Sequence, residues 1–243
     1  MNKYNIFTYL FCFLISLNLS AQKPSAKDES KKPKKEKTYK DIITKDAITD
    51  KGLFDIHKVK EKYFYEINDS LLGREMLMVT RIAKTASGLG FGGGKQNTQV
   101  LRWQIKDNKI LLRVVSHNVV ASDSLPVNEA VLNSNFEPIL YSFKIESKGI
   151  DSTSTLIEVT KLFNEDVKPL GFPQSRRKGY KISSLNSKKS FIESIKSYPE
   201  NIESRHVKTY NSSSPPSNSS TGTISLEINN SMILLPKTPM KRR

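Results

Sequence analysis

Apolar and polar residues alternate in short runs along most of the chain after residue 52, which is the pattern of half-buried β-strands. Eight runs are predicted as strands: residues 53–60, 63–67, 76–82, 100–105, 110–115, 139–145, 155–160 and 224–235. Residues 106–109 form a turn between two of them, because Asp107 and Asn108 tolerate unusual backbone angles. The sequence therefore predicts a mainly β (β-rich α+β) fold, with antiparallel sheets in a sandwich or barrel-like arrangement and a few short helices.

Three segments have the spacing of short helices instead. Residues 41–50 place their isoleucines on one side of a helix. Residues 124–133 form the second predicted helix, with Ser124 as its candidate N-cap. Residues 188–197 predict an amphipathic helix with exposed lysines and with Phe191, Ile192 and Ile195 facing inward. The Ser, Asn and Pro residues of 211–222 predict an exposed loop.

The first 21 residues have the parts of a secretory signal peptide. Lys3 is followed by a nearly uninterrupted apolar run over residues 6–19, and the small residues Ser20 and Ala21 close it. The run is shorter than the about 20 apolar residues that a membrane span needs. We predict cleavage after Ala21, export to the periplasm, outer surface or extracellular space, and no stable membrane span afterwards. The alternative is an uncleaved membrane anchor.

Charge and cysteine content refine this prediction. The chain of 243 residues has a net charge of +15 and only 37% hydrophobic residues, which predicts that part of it stays unpacked. That part is the lysine-rich segment 22–40, predicted as a disordered basic linker. A spacer is favoured over a nucleic-acid or lipid contact, and no nucleic-acid partner is predicted. The only cysteine, Cys12, lies in the signal peptide, which excludes disulfides from the mature chain.

Glycines at positions 88, 90 and 93 match the spacing of a dinucleotide-binding loop. Such a loop must open a helix whose N-terminus binds the pyrophosphate, and here it precedes a strand. The phosphate-loop pattern fails as well, because Leu89 stands where a glycine is required. We interpret residues 88–98 as a flexible connection between strands.

Candidate catalytic groups do not form a known pattern. His57, His117 and His206 are far apart in sequence and none belongs to an HExxH motif, so we expect His57 and His206 at the surface or a sheet edge and His117 in a loop. No GxSxG elbow is present, and Glu165 and Asp166 are predicted to be solvated in a turn. We therefore predict no catalytic, cofactor-binding or metal-binding residues. The basic clusters 176–178 and 241–243 are interpreted as solvated charge, with an acidic partner as the alternative.

Many separate blocks of the chain resemble the start of a bacterial family of secreted zinc-dependent metalloproteases. They are residues 49–60 (TDKGLFDIHKVK), 63–67 (YFYEI), 69–77 (DSLLGREML), 99–103 (QVLRW), 124–127 (SLPV), 133–139 (NSNFEPI), 159–163 (VTKLF), 190–194 (SFIES), 198–201 (YPEN) and 226–232 (LEINNSM). The blocks are collinear over roughly residues 38 to 240. The resemblance covers nearly all of the mature chain.

The resemblance implies two N-terminal domains of uncharacterised function. They are predicted as a small domain over 41–87 and a β-rich domain over 99–243, the second truncated at its C-terminal end. The metzincin-like HExxH helix, its zinc and the third histidine would lie in a catalytic domain missing here, so the chain is predicted to be inactive alone and to hold no cofactor.

Two functions remain open at this stage. The first is a non-catalytic module of such a protease that assists folding, inhibition or substrate positioning. Its expected partners are the catalytic domain and a polypeptide substrate. The second is a free-standing exported binding protein for a polypeptide or glycan.

Overall fold

The protein is built on one antiparallel sheet, seen in a computed structural model that describes residues 37–238. The strands are β1 Ile48–Asp50, β2 Asp55–Val59, β3 Lys62–Asn68, β4 Glu75–Lys84, β5 Lys95–Lys106, β6 Lys109–Val115, β7 Ile139–Lys148, β8 Ser154–Glu158, β9 Ile182–Leu185, β10 Phe191–Ser197, β11 Asn201–Ser212 and β12 Thr223–Leu234. The α-helices of the described residues are α1 Tyr39–Ile42, α2 Val127–Ser134, α3 Thr160–Asn164 and α4 Gln174–Arg177. Single 3-10 turns lie at Asp69–Leu71, Lys168–Leu170, Ser187–Lys189 and Ser219–Thr221.

The strand order is β1-β2-β3-β8-β7-β6-β5-β4-β12-β11-β10, with β9 pairing the end of β11. Strands from the predicted 41–87 and 99–243 segments are therefore hydrogen-bonded neighbours, β3 with β8 and β4 with β12. The predicted β5–β6 hairpin is confirmed: Lys106 pairs with Lys109, and Asp107 has a φ of 51°. The predicted mainly β, antiparallel and barrel-like fold is confirmed.

The sheet curls until its two ends nearly meet, and the segment after β1 joins them. We call this contact the seam. The Leu53 N–H donates to the Tyr198 carbonyl at 2.7 Å, and the Ser197 hydroxyl donates to the Phe54 carbonyl at 2.7 Å. Gly52 lies at the closest approach, where a Cβ atom would come within 2.5 Å of the Ser197 Oγ. The seam thus depends on a residue without a side chain.

The main core fills the inside of the curled sheet. Trp103 lies at its centre, fully buried, with the rings of Phe54 and Tyr65 edge-on at 5.9 and 6.2 Å and Phe143 at 5.5 Å. Each such side chain contributes about 1.5–3 kcal/mol through burial. A second apolar cluster around Phe172, Tyr210 and the β4 and β12 strands lies elsewhere in the sheet.

Two of the three predicted helices are wrong. Residues 188–197 contain the end of a 3-10 turn and then β10, which pairs with β11 after a short turn. Of the three predicted inward residues only Ile195 is buried. Pairing with a long neighbouring strand outweighs the local helical spacing. Residues 41–50 contain the end of α1 and then β1. The helix begins earlier because the Thr38 N–H donates to the Asp41 carboxylate at 2.8 Å.

The third predicted helix is present with shifted ends, as α2. Pro126 takes the N-cap position that was assigned to Ser124. Signal peptide 1–21, the linker up to residue 36 and the basic cluster 241–243 lie outside the described residues. Tyr39 and Lys40, at the end of the predicted linker, begin α1. No helix within residues 37–238 is long and apolar enough to cross a bilayer.

Candidate interaction surface

The connection between β6 and β7, together with the first residue of β7, carries half of the exposed large apolar side chains of residues 37–238. We call residues 116–139 the β6–β7 segment. Seven of its large apolar side chains are at least half exposed: Val119, Val120, Leu125, Val127, Leu132, Phe136 and Ile139. Scattered single residues of this kind are ordinary on a surface, whereas a group of seven in 24 residues of one connection is typical of an interaction site.

The helix α2 stands inside this segment without a buried residue. Its last turn is closed locally, because the Ser134 hydroxyl donates to the Ala130 carbonyl at 2.8 Å and the Asn135 amide to the Val131 carbonyl at 2.8 Å. Glu129 lies in its first turn, where a negative charge favours the helix. An isolated helix of eight residues is marginal in water, so its position depends on the ends of the segment.

Charged side chains hold those ends on the sheet. The Arg102 guanidinium on β5 donates to Glu75 at 2.7 Å and to Glu137 at 2.6 Å. The other Glu75 oxygen lies 3.0 Å from the His117 Nε2. Arg102 is about one-third exposed, so these pairs position the chain more than they stabilise it.

Arg113 fixes the C-terminal end of the segment. Its guanidinium donates to the Glu137 carbonyl at 2.7 Å and lies over the Phe136 ring, 4.9 Å from the ring centroid. The Val114 N–H donates to the Pro138 carbonyl at 2.9 Å. The segment is therefore attached at both ends while the apolar residues between them stay exposed.

The β6–β7 segment also differs in charge from the rest of the chain. No lysine or arginine lies between Arg113 and Lys144, and the segment contains Asp123, Glu129 and Glu137. On a chain with a net charge of +15, this is an apolar surface with an acidic character. It fits a partner that combines apolar and basic groups.

A second polar cluster surrounds Glu66 on β3. One Glu66 oxygen accepts from the Tyr39 hydroxyl at 2.6 Å and lies 3.0 Å from the His57 Nε2, and the other accepts from the Ser154 hydroxyl at 2.5 Å. These hydrogen bonds lower the pKa of Glu66 to about 2, and the one with His57 has the largest effect. The His57 Nδ1 lies 2.8 Å from the exposed Thr49 hydroxyl. His57 is buried on β2 between β1 and β3, so its predicted position at the surface or a sheet edge is wrong.

This cluster borders a cleft of about 380 Å³ that Asp55 and Asp151 also line. Its hydroxyl–imidazole–carboxylate order superficially matches a catalytic relay. Both Glu66 oxygens are already occupied by donors, and they connect α1, β2, β3 and β8. The bonds therefore account for a polar clamp between these elements.

His206 and Lys208 lie on β11, with both side chains fully buried. The His206 Nε2 donates to the Leu170 carbonyl at 3.3 Å, and the Lys208 ammonium donates to the Glu165 carbonyl at 2.7 Å. Burial lowers the pKa of His206 to about 3 and that of Lys208 to about 8. The predicted surface or edge position of His206 is wrong, because β11 has paired neighbours on both sides.

Asp166 and Arg177 form a paired group that the sequence analysis assigned to solvent. The Arg177 guanidinium donates two bonds of 2.6 Å to the Asp166 carboxylate. This pairing lowers the pKa of Asp166, and the Arg177 side chain is only 12% exposed. The prediction of solvated charge is wrong for Arg177, whereas Glu165 and Asp166 are exposed residues, as predicted, although Asp166 is paired. Arg176 is half-buried, and Lys178 is exposed as predicted.

The remaining predicted candidates have simple positions. The glycine cluster forms the loop between β4 and β5, as predicted, although β5 begins at Lys95 and takes up the last four residues of the predicted connection 88–98. His117 lies in a loop, as predicted. The three histidines have separate surroundings, and among residues 37–238 no three His, Cys, Asp or Glu side chains are grouped as metal ligands.

Sequence reasoning missed the β6–β7 segment, for which a signal existed. A connection of more than 20 residues with many apolar side chains and no basic one is unusual, because long connections are mostly polar or functional. Lys208 gave no such signal. Its burial depends on which strands flank β11, and that order is set by distant pairings.

Comparisons with known proteins identify two domain families. The family described as Domain of unknown function (DUF5117) matches residues 93–243, and Domain of unknown function (DUF5118) matches residues 36–85. No curated protein and no solved structure matches the chain.

Proposed function

The chain belongs to the DUF5117 family of domains of unknown function. We propose that it is a non-catalytic protein-binding module. The partner in this proposal is the catalytic part of a secreted zinc-dependent metalloprotease, the class of protein that the sequence resembles. The module would bind that part and thereby assist its folding, inhibit it or position its substrate. The contact surface is the β6–β7 segment.

The observation that carries the proposal is the uncovered apolar surface of that segment. A helix normally buries one face against its own domain. In α2 no residue is buried, and Leu132 and Phe136 are among the most exposed apolar side chains of the described chain. Covering them with a partner releases the water that they order, which is the main favourable contribution to protein association.

The attachment of the segment supports the same conclusion. Arg102 and Arg113 hold its ends before any partner binds. A preorganised surface loses less conformational entropy on binding than a free loop does, so more of its contact energy becomes affinity. The expected partner surface is an apolar groove for a short helix with basic residues at its rim.

The test uses the full chain together with the HExxH-containing part of a full-length relative, produced separately, and measures binding by calorimetry. The double variant Leu132→Asp and Phe136→Asp should weaken binding about 100-fold, because buried apolar residues at the centre of an interface each contribute at least about 1–2 kcal/mol. Ile150→Asp is the matched control, since Ile150 is equally apolar and exposed but lies in the β7–β8 turn. The control should bind like the wild type.

Two outcomes would reject the proposal. One is the absence of any complex, and the other is a complex whose affinity is the same in the double variant. Equal binding of the wild type to unrelated unfolded polypeptides would favour the second function, a free-standing exported binding protein. The cleavage rate of a peptide by the partner, with and without the module, separates inhibition from assistance.

A further inference from the structure

The loop between β4 and β5, residues 85–94, presents one fully exposed aromatic side chain. Phe91 at its tip is 99% exposed. The loop around it has a defined shape: Gly90 and Gly93 have φ values of 95° and 86°, and a side chain at Gly92 would collide with the Ala83 carbonyl oxygen. Leu89 is buried and anchors the loop to the second apolar cluster. The glycines therefore hold Phe91 out in solvent.

Two other loops join this loop to make one surface. The Arg176 guanidinium in α4 donates to the Leu89 carbonyl at 3.1 Å, and its Cζ lies 5.4 Å from the ring centroid of Phe172 and 5.9 Å from that of Tyr180. The Ser217 hydroxyl donates to the Ser87 carbonyl at 3.0 Å. Loops 85–94, 173–181 and 213–222 thus form a continuous end of the molecule, which we call the glycine-loop pole.

The stretches that build this pole contain no acidic residue. Asp and Glu are missing from residues 76–106, 167–192 and 204–226. Exposed basic side chains in these stretches include Arg81, Lys84, Lys95, Lys178 and Lys181. Carboxylates that contact basic residues of these stretches include Glu227, which pairs with Lys84 at 2.5 Å and lies 3.8 Å from Arg205, and Asp166, which pairs with Arg177. The positive charge at the pole is therefore only partly compensated.

We propose that the glycine-loop pole docks on an anionic lipid surface, with Phe91 inserted at the level of the headgroups. A single apolar wedge surrounded by basic groups combines the two contributions that bind proteins peripherally to anionic lipids. A groove for single-stranded nucleic acid uses several exposed aromatic rings on which bases stack. The loop presents only Phe91, which favours the lipid surface.

The experiment measures co-sedimentation of the full chain with vesicles at low salt. Vesicles of phosphatidylglycerol and phosphatidylcholine are compared with vesicles of phosphatidylcholine alone. We expect at least about tenfold stronger partitioning into the anionic vesicles, and about a tenfold loss for Phe91→Ala, because one buried aromatic ring is removed from the lipid. Ile150→Ala is the control and should partition like the wild type, since Ile150 is an exposed apolar residue of the β7–β8 turn, outside the glycine-loop pole. The double variant Lys95→Glu and Lys181→Glu should also lose binding.

A second measurement reports insertion directly. Trp103 is the only tryptophan and is fully buried, so in Phe91→Trp a blue shift of the emission on adding vesicles reports residue 91. The lysines of residues 23–36 would attract vesicles by charge alone, so dependence on Phe91 is the criterion. Equal partitioning of wild type and Phe91→Ala would overturn the proposal. The proposal would also be overturned if short duplex DNA bound the wild type and Phe91→Ala equally and displaced the vesicles from them. Neither result bears on the β6–β7 segment, whose variants are different.

Discussion

Lowering the pH from 7.5 to 5.0 is expected to cost this fold about 2 kcal/mol through His206 alone. The side chain is fully buried, its Nε2 donates to the Leu170 carbonyl, and its Nδ1 has no hydrogen-bond partner. Burial, with a smaller effect of the nearby Lys208 ammonium, lowers the pKa of His206 to about 3. A proton on this ring would place a second positive charge in the same buried region.

The sign follows from proton binding in the two states. In the unfolded chain the histidine pKa is about 6.5, so the unfolded state takes up a proton as the pH falls through that value. The folded state remains neutral down to a pH of about 3. The unfolded state therefore binds more protons over this interval, and stability falls as the pH falls. At pH 5.0, protonation of the unfolded state raises its population relative to the folded state by a factor of about 30, which corresponds to about 2 kcal/mol.

The assay is urea unfolding at both pH values for the wild type and two variants. His206→Leu should lose about 2 kcal/mol less stability than the wild type between pH 7.5 and 5.0. His117→Leu, which removes a histidine whose side chain is 55% exposed, is the control with which the His206→Leu result is compared. His206→Leu also deprives the Leu170 carbonyl of its donor, which changes the stability at every pH. The comparison therefore uses the difference in the free energy of unfolding between the two pH values.

An NMR titration of histidine side chains tests the same reasoning without a substitution. The His206 ring should stay neutral at pH 5. A His206 ring that titrates near pH 6.5 in the folded protein would refute the reasoning. An identical pH dependence in the wild type and His206→Leu would refute it as well.

Three further changes test other parts of the fold. Gly52→Ala should destabilise the protein by about 1–3 kcal/mol in urea unfolding, because the new methyl group would overlap Ser197 at the seam. Asp166→Asn should cost about 2 kcal/mol in the same assay, since it leaves the Arg177 guanidinium mostly buried without its carboxylate. Lys208→Met should stabilise by about 1 kcal/mol at pH 7 and destabilise by about 1 kcal/mol at pH 10. Burial lowers the pKa of Lys208 to about 8, so the destabilisation caused by its buried charge disappears in the wild type as the pH rises. The variant lacks the hydrogen bond to the Glu165 carbonyl at both pH values. An unchanged midpoint in any of the three would contradict the corresponding contact.

Sequence reasoning succeeded where the determinants are local. The β5–β6 hairpin follows from two alternating runs and from Asp107 in the turn. Residues 188–197 show the limit of the same reasoning. Their charged residues have helical spacing, yet Ile192 pairs with His206 and Ser197 with Ile202 in the sheet. Tertiary pairing overrode a short local pattern.

The polar clusters could not be predicted for a related reason. Glu66 meets Tyr39, His57 and Ser154, which come from three different parts of the chain. Their meeting depends on the register of β2 on β3 and of β3 on β8, and a shift of one residue would turn each side chain to the opposite face. The exposed segment 116–139 could have been identified without knowing the strand register, because its composition differs from that of an ordinary loop.

The pairing of β4 with β12 has a consequence for the order of folding. Met76 lies opposite Leu234 and Ile82 opposite Ile228, so strands separated by about 150 residues of chain share one ladder. Closing so long a loop is entropically costly, and such contacts form slowly. During synthesis, β4 would wait for nearly the whole of the described chain to emerge before it gained this neighbour. Its apolar residues would be accessible to chaperones or to aggregation throughout that interval.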